Sequence, residues 1–99
     1  MIPIIGKLSM ARRAGKLICG FDSVKEAVGN GSAVLVMTAS DLSPKTLKEV
    51  NFFCKGKTDV LPLPVTADEL GAGIGFRAGV TALTDEGFAG AARSALNVR

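Results

Sequence analysis

The sequence predicts an α/β fold in which four strands alternate with five helices, giving a mostly parallel or mixed sheet with helices on both faces. Two observations carry this reading. Ala33-Val34-Leu35-Val36-Met37 is an unbroken apolar run of strand length, the pattern of a strand buried on both faces. Around it, shorter apolar runs alternate with segments that combine helix-start residues and apolar positions at helical spacing. The 99 residues are expected to form one domain, 1–99. A chain of that size buries about two-thirds of the surface its unfolded form exposes.

Each element has a local reason. Ile4, Ile5, Leu8 and Ala11 recur at helical spacing and predict a first helix from about Pro3 to Ala14, closed by Gly15. Leu17-Ile18-Cys19 reads as a short buried strand. Asp22 is the expected N-cap of a second helix with Val24, Ala27 and Val28 on its inner face, ended by Gly29 and Gly31. After the central run, Ser43-Pro44 gives a cap followed by proline in the first helical position. Leu47, Val50 and Cys54 continue the inner face of that third helix, and Gly56 stops it.

Asp59 to Val65 is apolar but holds Pro62 and Pro64, so it is an edge strand or one that ends by Pro62. Thr66 and Glu69 form a capping box that opens a short helix through Leu70. Gly71, Gly73, Gly75 and Gly79 are expected to make a flexible loop around Ile74, Phe76 and Arg77. Val80-Thr81-Ala82-Leu83 is the last strand. Thr84 or Asp85 caps a final helix buried through Phe88, Ala91, Ala92, Ala95 and Leu96.

Composition narrows the function. Histidine is absent, so the commonest general base is missing, and no serine has an evident activating partner. Asp41 and Asp85 follow strands, where α/β enzymes often place catalytic groups, but both are better explained as helix-start residues. Gly71-x-Gly73-x-Gly75 follows a helix and precedes a strand, the reverse of a dinucleotide-binding loop. Cys19 and Cys54 lie far apart in apolar settings and are expected to be buried, unpaired thiols. No cofactor, metal, small-molecule substrate or catalytic residue is expected.

No run approaches the roughly 20 apolar residues that span a bilayer, so no membrane partner is expected. The apolar start, Met1 to Gly6, has no basic segment before it and is closed by Lys7, so it is not read as a signal peptide. The expected location is the cytoplasm.

The net charge of +3 is unevenly placed. Lys7, Arg12, Arg13, Lys16 and Lys25 face only Asp22 and Glu26 in residues 1–40. Arg12, Arg13 and Lys16 surround the turn into the first strand, and Gly20 follows that strand where the second helix begins. A helix start presents free N–H groups and a positive dipole end, which suits a phosphate-bearing partner. The same cations also fit a solvated helix C-terminus, so these residues alone leave both readings open.

Four stretches, taken together, resemble a family. They are Met10 to Gly20, Val34 to Pro44, Glu69 to Gly71 and Val80 to Asp85. In sequence and order they are similar to the kink-turn RNA-binding ribosomal-protein family, of the L-seven-Ae and L-thirty-e type, and to its small bacterial YlxQ-type branch. The resemblance implies a three-layer α/β/α sandwich with a four-stranded mixed sheet and five helices. It also implies an RNA surface made by the start of the second helix and the loop before the last strand.

In the family's strong binders a glycine opens that helix, and Asn, Glu and Lys beyond it grip the sheared G·A pairs of a kink-turn. The glycine falls on Gly20, the Asn on Asp22, the Glu on Ser23 and the Lys on Glu26. An amide donor has therefore become a carboxylate, and a cation an anion. The apolar wedge of the second loop maps onto Ile74 to Ala78, including Phe76. Arg12, Arg13, Lys16, Lys25 and Arg77 stay available for phosphates, and Phe21 sits beside the glycine.

The sequence thus leads to a non-enzymatic RNA-binding module. Its expected partner is structured RNA, ribosomal or containing a kink-turn, with ribosome association as a further expectation. The alternative is a protein-interaction module on the same fold that has lost kink-turn binding, favoured by the charge reversal at Glu26. An enzyme is a distant third.

Overall fold

The computed structural model describes residues 3–96, so Met1 and Ile2 of the apolar start lie outside the described residues. The chain runs α1 (Pro3–Arg13), β1 (Leu17–Cys19), α2 (Phe21–Gly29), β2 (Leu35–Thr38), α3 (Pro44–Cys54), β3 (Val60–Pro62), α4 (Ala67–Ile74), β4 (Val80–Leu83) and α5 (Glu86–Ala95). The four strands form one sheet in the order β1-β4-β2-β3. β4 is antiparallel to both of its neighbours, while β2 and β3 are parallel. The mixed alternative is therefore the one realised.

Alternation along the strands builds two cores. Leu35, Met37 and Leu83 point to one face, where they pack with Ile4 and Leu8 of α1, Leu70 and Ile74 of α4, and Ala89 and Ala92 of α5. Val36, Val80 and Ala82 point to the other, against Val24, Ala27 and Val28 of α2 and Val50 and Cys54 of α3. β2 and β4 are buried at every position, as central strands should be. The edges fall to β1, three residues long, and to β3, which ends at Pro62 and pairs only with β2.

Most start signals act as the sequence predicts. Ser43 accepts from the Thr46 N–H with Pro44 in the first turn, and Thr66 and Glu69 complete a capping box. Asp85, not Thr84, caps α5 by accepting from the Phe88 N–H. Asp41 is also a helix-start residue, but for a distant helix: its carboxylate accepts from the Ala67 N–H of α4 at 2.9 Å.

Two expected burials change: β1 is half-buried at all three positions, as an edge strand, and α5 is buried through Ala89 and Ala92, with Phe88, Ala91, Ala95 and Leu96 half-buried. Three further expectations need correction. Asp22 is not the cap of α2: Gly20 holds that position with φ 101° and ψ 147°, and Asp22 lies inside the first turn. The apolar run enters the regular ladder at Leu35: the Ala33 N–H is taken by the Ala27 carbonyl at the end of α2, and the Val34 N–H donates to the Leu83 carbonyl one residue ahead of the register.

The third correction is the largest. Gly71 and Gly73 are not loop but the body of α4, which runs on to Ile74 and ends at Gly75 in the left-handed conformation. Their role is close packing. A Cβ on Gly71 would lie 2.8 Å from the Arg77 Cα, and one on Gly73 would collide with the Ile5 side chain of α1. Neither contact is visible in local sequence, where glycine argues against helix.

Candidate nucleic-acid interface

The start of α2 and the loop before β4 meet at one end of the sheet. Antiparallel pairing sets Cys19 opposite Thr81, so Gly20 and Val80 emerge side by side. The Gly20 N–H donates to the Val80 carbonyl at 2.9 Å and ties the two segments together. Gly20 adopts a φ rarely open to residues with a side chain. A Cβ there would meet nothing within 4 Å, so the space over the turn is open.

This helix start is uncapped. α3, α4 and α5 each have a side chain accepting from the first turn, whereas α2 has none. The first intrahelical bond is Val24 N–H to the Gly20 carbonyl. The N–H groups of Phe21, Asp22 and Ser23 precede it at the positive end of the helix dipole.

The side chains of α2 then divide between two flanks. Ser23 and Glu26 are exposed and line a shallow groove with Ile18 and Asn30, toward β1. Phe21 and Lys25 face α3. Phe21 is half-buried and meets the Phe53 ring edge-to-face, with centroids 5.5 Å apart.

The loop before β4 is held from two sides. The Arg12 guanidinium donates to the Ile74 carbonyl at the end of α4 and lies 5.7 Å from the centre of the Phe76 ring. Arg77 pairs with Asp68 at 2.5 Å in an exposed ion pair. Ile74 itself is buried in the core, while Phe76 is 48% exposed. Of the apolar wedge residues, Phe76 is thus the large side chain offered to solvent.

The five cations do not form one cluster. Arg12 is committed to the loop and Arg77 to Asp68. Arg13 turns to the outer side of α1, beside Lys7, Ser9 and Met10. The Lys16 carbonyl accepts from the Thr84 N–H, at the opposite end of β1 from Gly20. Four strand-like steps separate Lys16 from Gly20, roughly 13 Å. Among the described residues, Arg13, Lys16 and Lys25 make no ion pair.

Sequence reasoning missed Asp68 as the partner of Arg77, the Val80 carbonyl as the anchor of Gly20, and the α3 residues beside Phe21. Only the last had a local signal. With Val50 and Cys54 on the inner face of α3, helical spacing cannot turn both Phe52 and Phe53 inward.

Cys19 and Cys54 are free thiols, half-buried and buried respectively. Burial pushes both thiols above the usual range, with Arg12 pulling Cys19 partly back. Among the described residues no group of acidic residues and cysteines could hold a metal ion, and no helix is long and apolar enough to cross a membrane.

Comparison with known proteins shows the family and the fold. The model of the ribosomal protein L7Ae/L30e/S12e/Gadd45 family matches residues 4–92. The RNA-binding protein YlxQ of Bacillus subtilis (strain 168) is 36% identical over 83 residues, covering 83% of each chain. A Bacillus halodurans C protein of unknown function superposes with a TM-score of 0.90 at 27% identity, covering 98% of this chain and 99% of that one. The 15.5kD RNA binding protein of Giardia lamblia shares the fold at a TM-score of 0.78 and 14% identity, over 96% of this chain and 82% of that one.

Proposed function

This chain belongs to the ribosomal protein L7Ae/L30e/S12e/Gadd45 family, and on that premise we propose that it is a non-enzymatic, single-domain RNA-binding protein of the cytoplasm. Its partner is structured RNA of kink-turn-like shape, in a ribosomal or other translation-related ribonucleoprotein. It meets that RNA through the start of α2 and the loop before β4. Arg13, Lys16 and Lys25 supply phosphate contacts along its flanks. Asp22, Ser23 and Glu26 face the bases, and Gly20, Phe21, Ile74, Phe76, Arg12 and Arg77 shape the surface.

The observation that carries this reading is the bond between the Gly20 N–H and the Val80 carbonyl. It sets an uncapped helix start, with an open approach over Gly20, against a loop braced by Arg12 and Arg77. Uncapped N–H groups at a positive dipole end favour an anion, and phosphate groups bind at such helix starts. The name of the Bacillus subtilis relative, an RNA-binding protein, supports the same conclusion.

Phosphate contacts give affinity and base contacts give specificity. Asp22 and Glu26 can accept from base amino groups but repel phosphates. The reading is therefore of an RNA binder whose base preferences differ from those of the family's strong kink-turn binders. The exposed carboxylates also favour a second reading, a protein-interaction module without RNA.

A titration separates the two. Kink-turn, duplex and unrelated structured RNAs are titrated across a range of salt. The expected result is binding to structured RNA that weakens linearly in log affinity against log salt. No binding to any of the three at low salt leaves only the second reading.

A further inference from the structure

The groove between α2 and α3 is not part of the surface described above, but it shares two residues with it. Phe21 and Lys25 form its α2 wall, and Lys48, Glu49, Phe52 and Phe53 form its α3 wall. Its volume is about 540 Å³, within the roughly 300–1,000 Å³ range of clefts that hold small ligands. We propose that this groove is a nucleotide subsite, in which one unpaired RNA base stacks on Phe52 while its flanking phosphates meet Lys25 and Lys48. The proposal rests on the RNA-binding reading.

Phe52 is the first observation. Its side chain is 83% exposed, although Val50 and Cys54 on the same helix are fully buried. Its two aromatic neighbours, Phe21 and Phe53, are half-buried and locked edge-to-face. They form a fixed floor, and Phe52 stands beside it as a free ring face. An aromatic ring offers stacking to any base, because every base has a π-face.

Charge is the second observation. Lys25 and Lys48 flank the apolar floor from opposite helices, and neither makes an ion pair among the described residues. Rings set between two cations match a nucleotide, whose apolar base lies between charged phosphates. Glu49, the single anion in the lining, can accept from the exocyclic amino group of a base. Continuity is the third observation: Phe21 and Lys25 stand in the first turns of α2, so a strand leaving the α2 start enters the groove directly.

The test uses the full chain and a structured RNA hairpin, with and without a short single-stranded extension that carries 2-aminopurine. The expected result is that the extension tightens binding and quenches the probe. Phe52→Ala then abolishes that gain, roughly 5- to 160-fold, the range carried by base–aromatic stacking, and leaves binding of the blunt hairpin unchanged. Lys48→Ala lowers the salt dependence for the extended RNA only. If the wild type binds the blunt hairpin and the extension adds nothing, or Phe52→Ala keeps the gain, the subsite is refuted and the RNA-binding reading stands. If the wild type binds neither RNA, both fall. Should sedimentation show a wild-type dimer that Phe52→Ala dissociates, the groove is an interface between copies and the proposal is overturned.

Discussion

The Arg12 guanidinium caps the end of α4 by donating to the Ile74 carbonyl, and in doing so lies against the Phe76 ring. A residue from the end of α1 thus braces the loop that leads into β4. A cation that reads from sequence as a phosphate contact is already occupied.

Arg12→Ala should therefore act on the loop first. Loss of a hydrogen bond from a charged donor, softened by exposure, is expected to cost about 1 kcal/mol of stability. Amide exchange at residues 75–79 should quicken more than elsewhere. Unchanged exchange there would mean that Phe76 and Arg77 hold the loop unaided.

The unpaired cations should behave differently. Arg13→Ala, Lys16→Ala and Lys25→Ala should leave stability almost unchanged; the first two should weaken all RNAs to a similar degree, and Lys25→Ala should weaken an RNA with a single-stranded extension most. Removing one cation from a phosphate should lower the slope of log affinity against log salt by about 0.7–0.9. Lys16 stands at the far end of β1 from Gly20, so its effect also reports how far RNA extends. A slope that none of the three changes would remove this part of the surface.

Restoring the strong-binder residues should raise kink-turn affinity. Asp22, Ser23 and Glu26 are exposed, so Asp22→Asn, Ser23→Glu and Glu26→Lys can be combined without disturbing the core. Each bidentate hydrogen-bond pair restored to a base is worth about 1–3 kcal/mol. A folded triple variant with no gain on a kink-turn would show that this face does not meet RNA as proposed.

Gly20→Ala tests the backbone of the turn. The residue sits at φ 101° with open space around it, so the cost comes from conformation and not from collision. Stability should fall by about 1 kcal/mol or more. Denaturant midpoints equal to those of the wild type would show that the turn relaxes without loss.

The thiols give a pH prediction. Burial raises both above their unfolded values, so the folded state holds its thiol protons over a range where the unfolded chain has released them. Stability is then full below the unfolded thiol pKa, about 8.5, and declines as pH rises from there toward the folded values. Cys54→Ala should flatten that decline. Rapid reaction of native Cys54 with a thiol reagent would contradict the burial that underlies it.

Local chemistry carried much of the fold into the sequence. Ser43-Pro44 and Thr66 with Glu69 are signals written within one helical turn, and the structure uses them as read. Gly71 and Gly73 misled because their reason is distant in space: the backbone at Arg77 and the side chain of Ile5 leave no room for a Cβ. Asp22 misled because an acidic residue serves the first turn as well as the cap. The arrangement of the candidate site's residues was not legible. No local pattern says that Lys16 and Gly20 lie at opposite ends of β1, or that Arg12 reaches Ile74 across 62 positions.

The bond between Gly20 and Val80 also sets a schedule. β1 has no sheet neighbour except β4, which is the last strand to be made and lies between β1 and β2. A nascent chain that has exposed only residues 1–79 carries every cation of the first half, yet lacks the strand that fixes the start of α2. Domains fold as units during synthesis. The face around Gly20 is completed only when β4 closes the sheet, so a nascent chain that has not yet released β4 cannot present it.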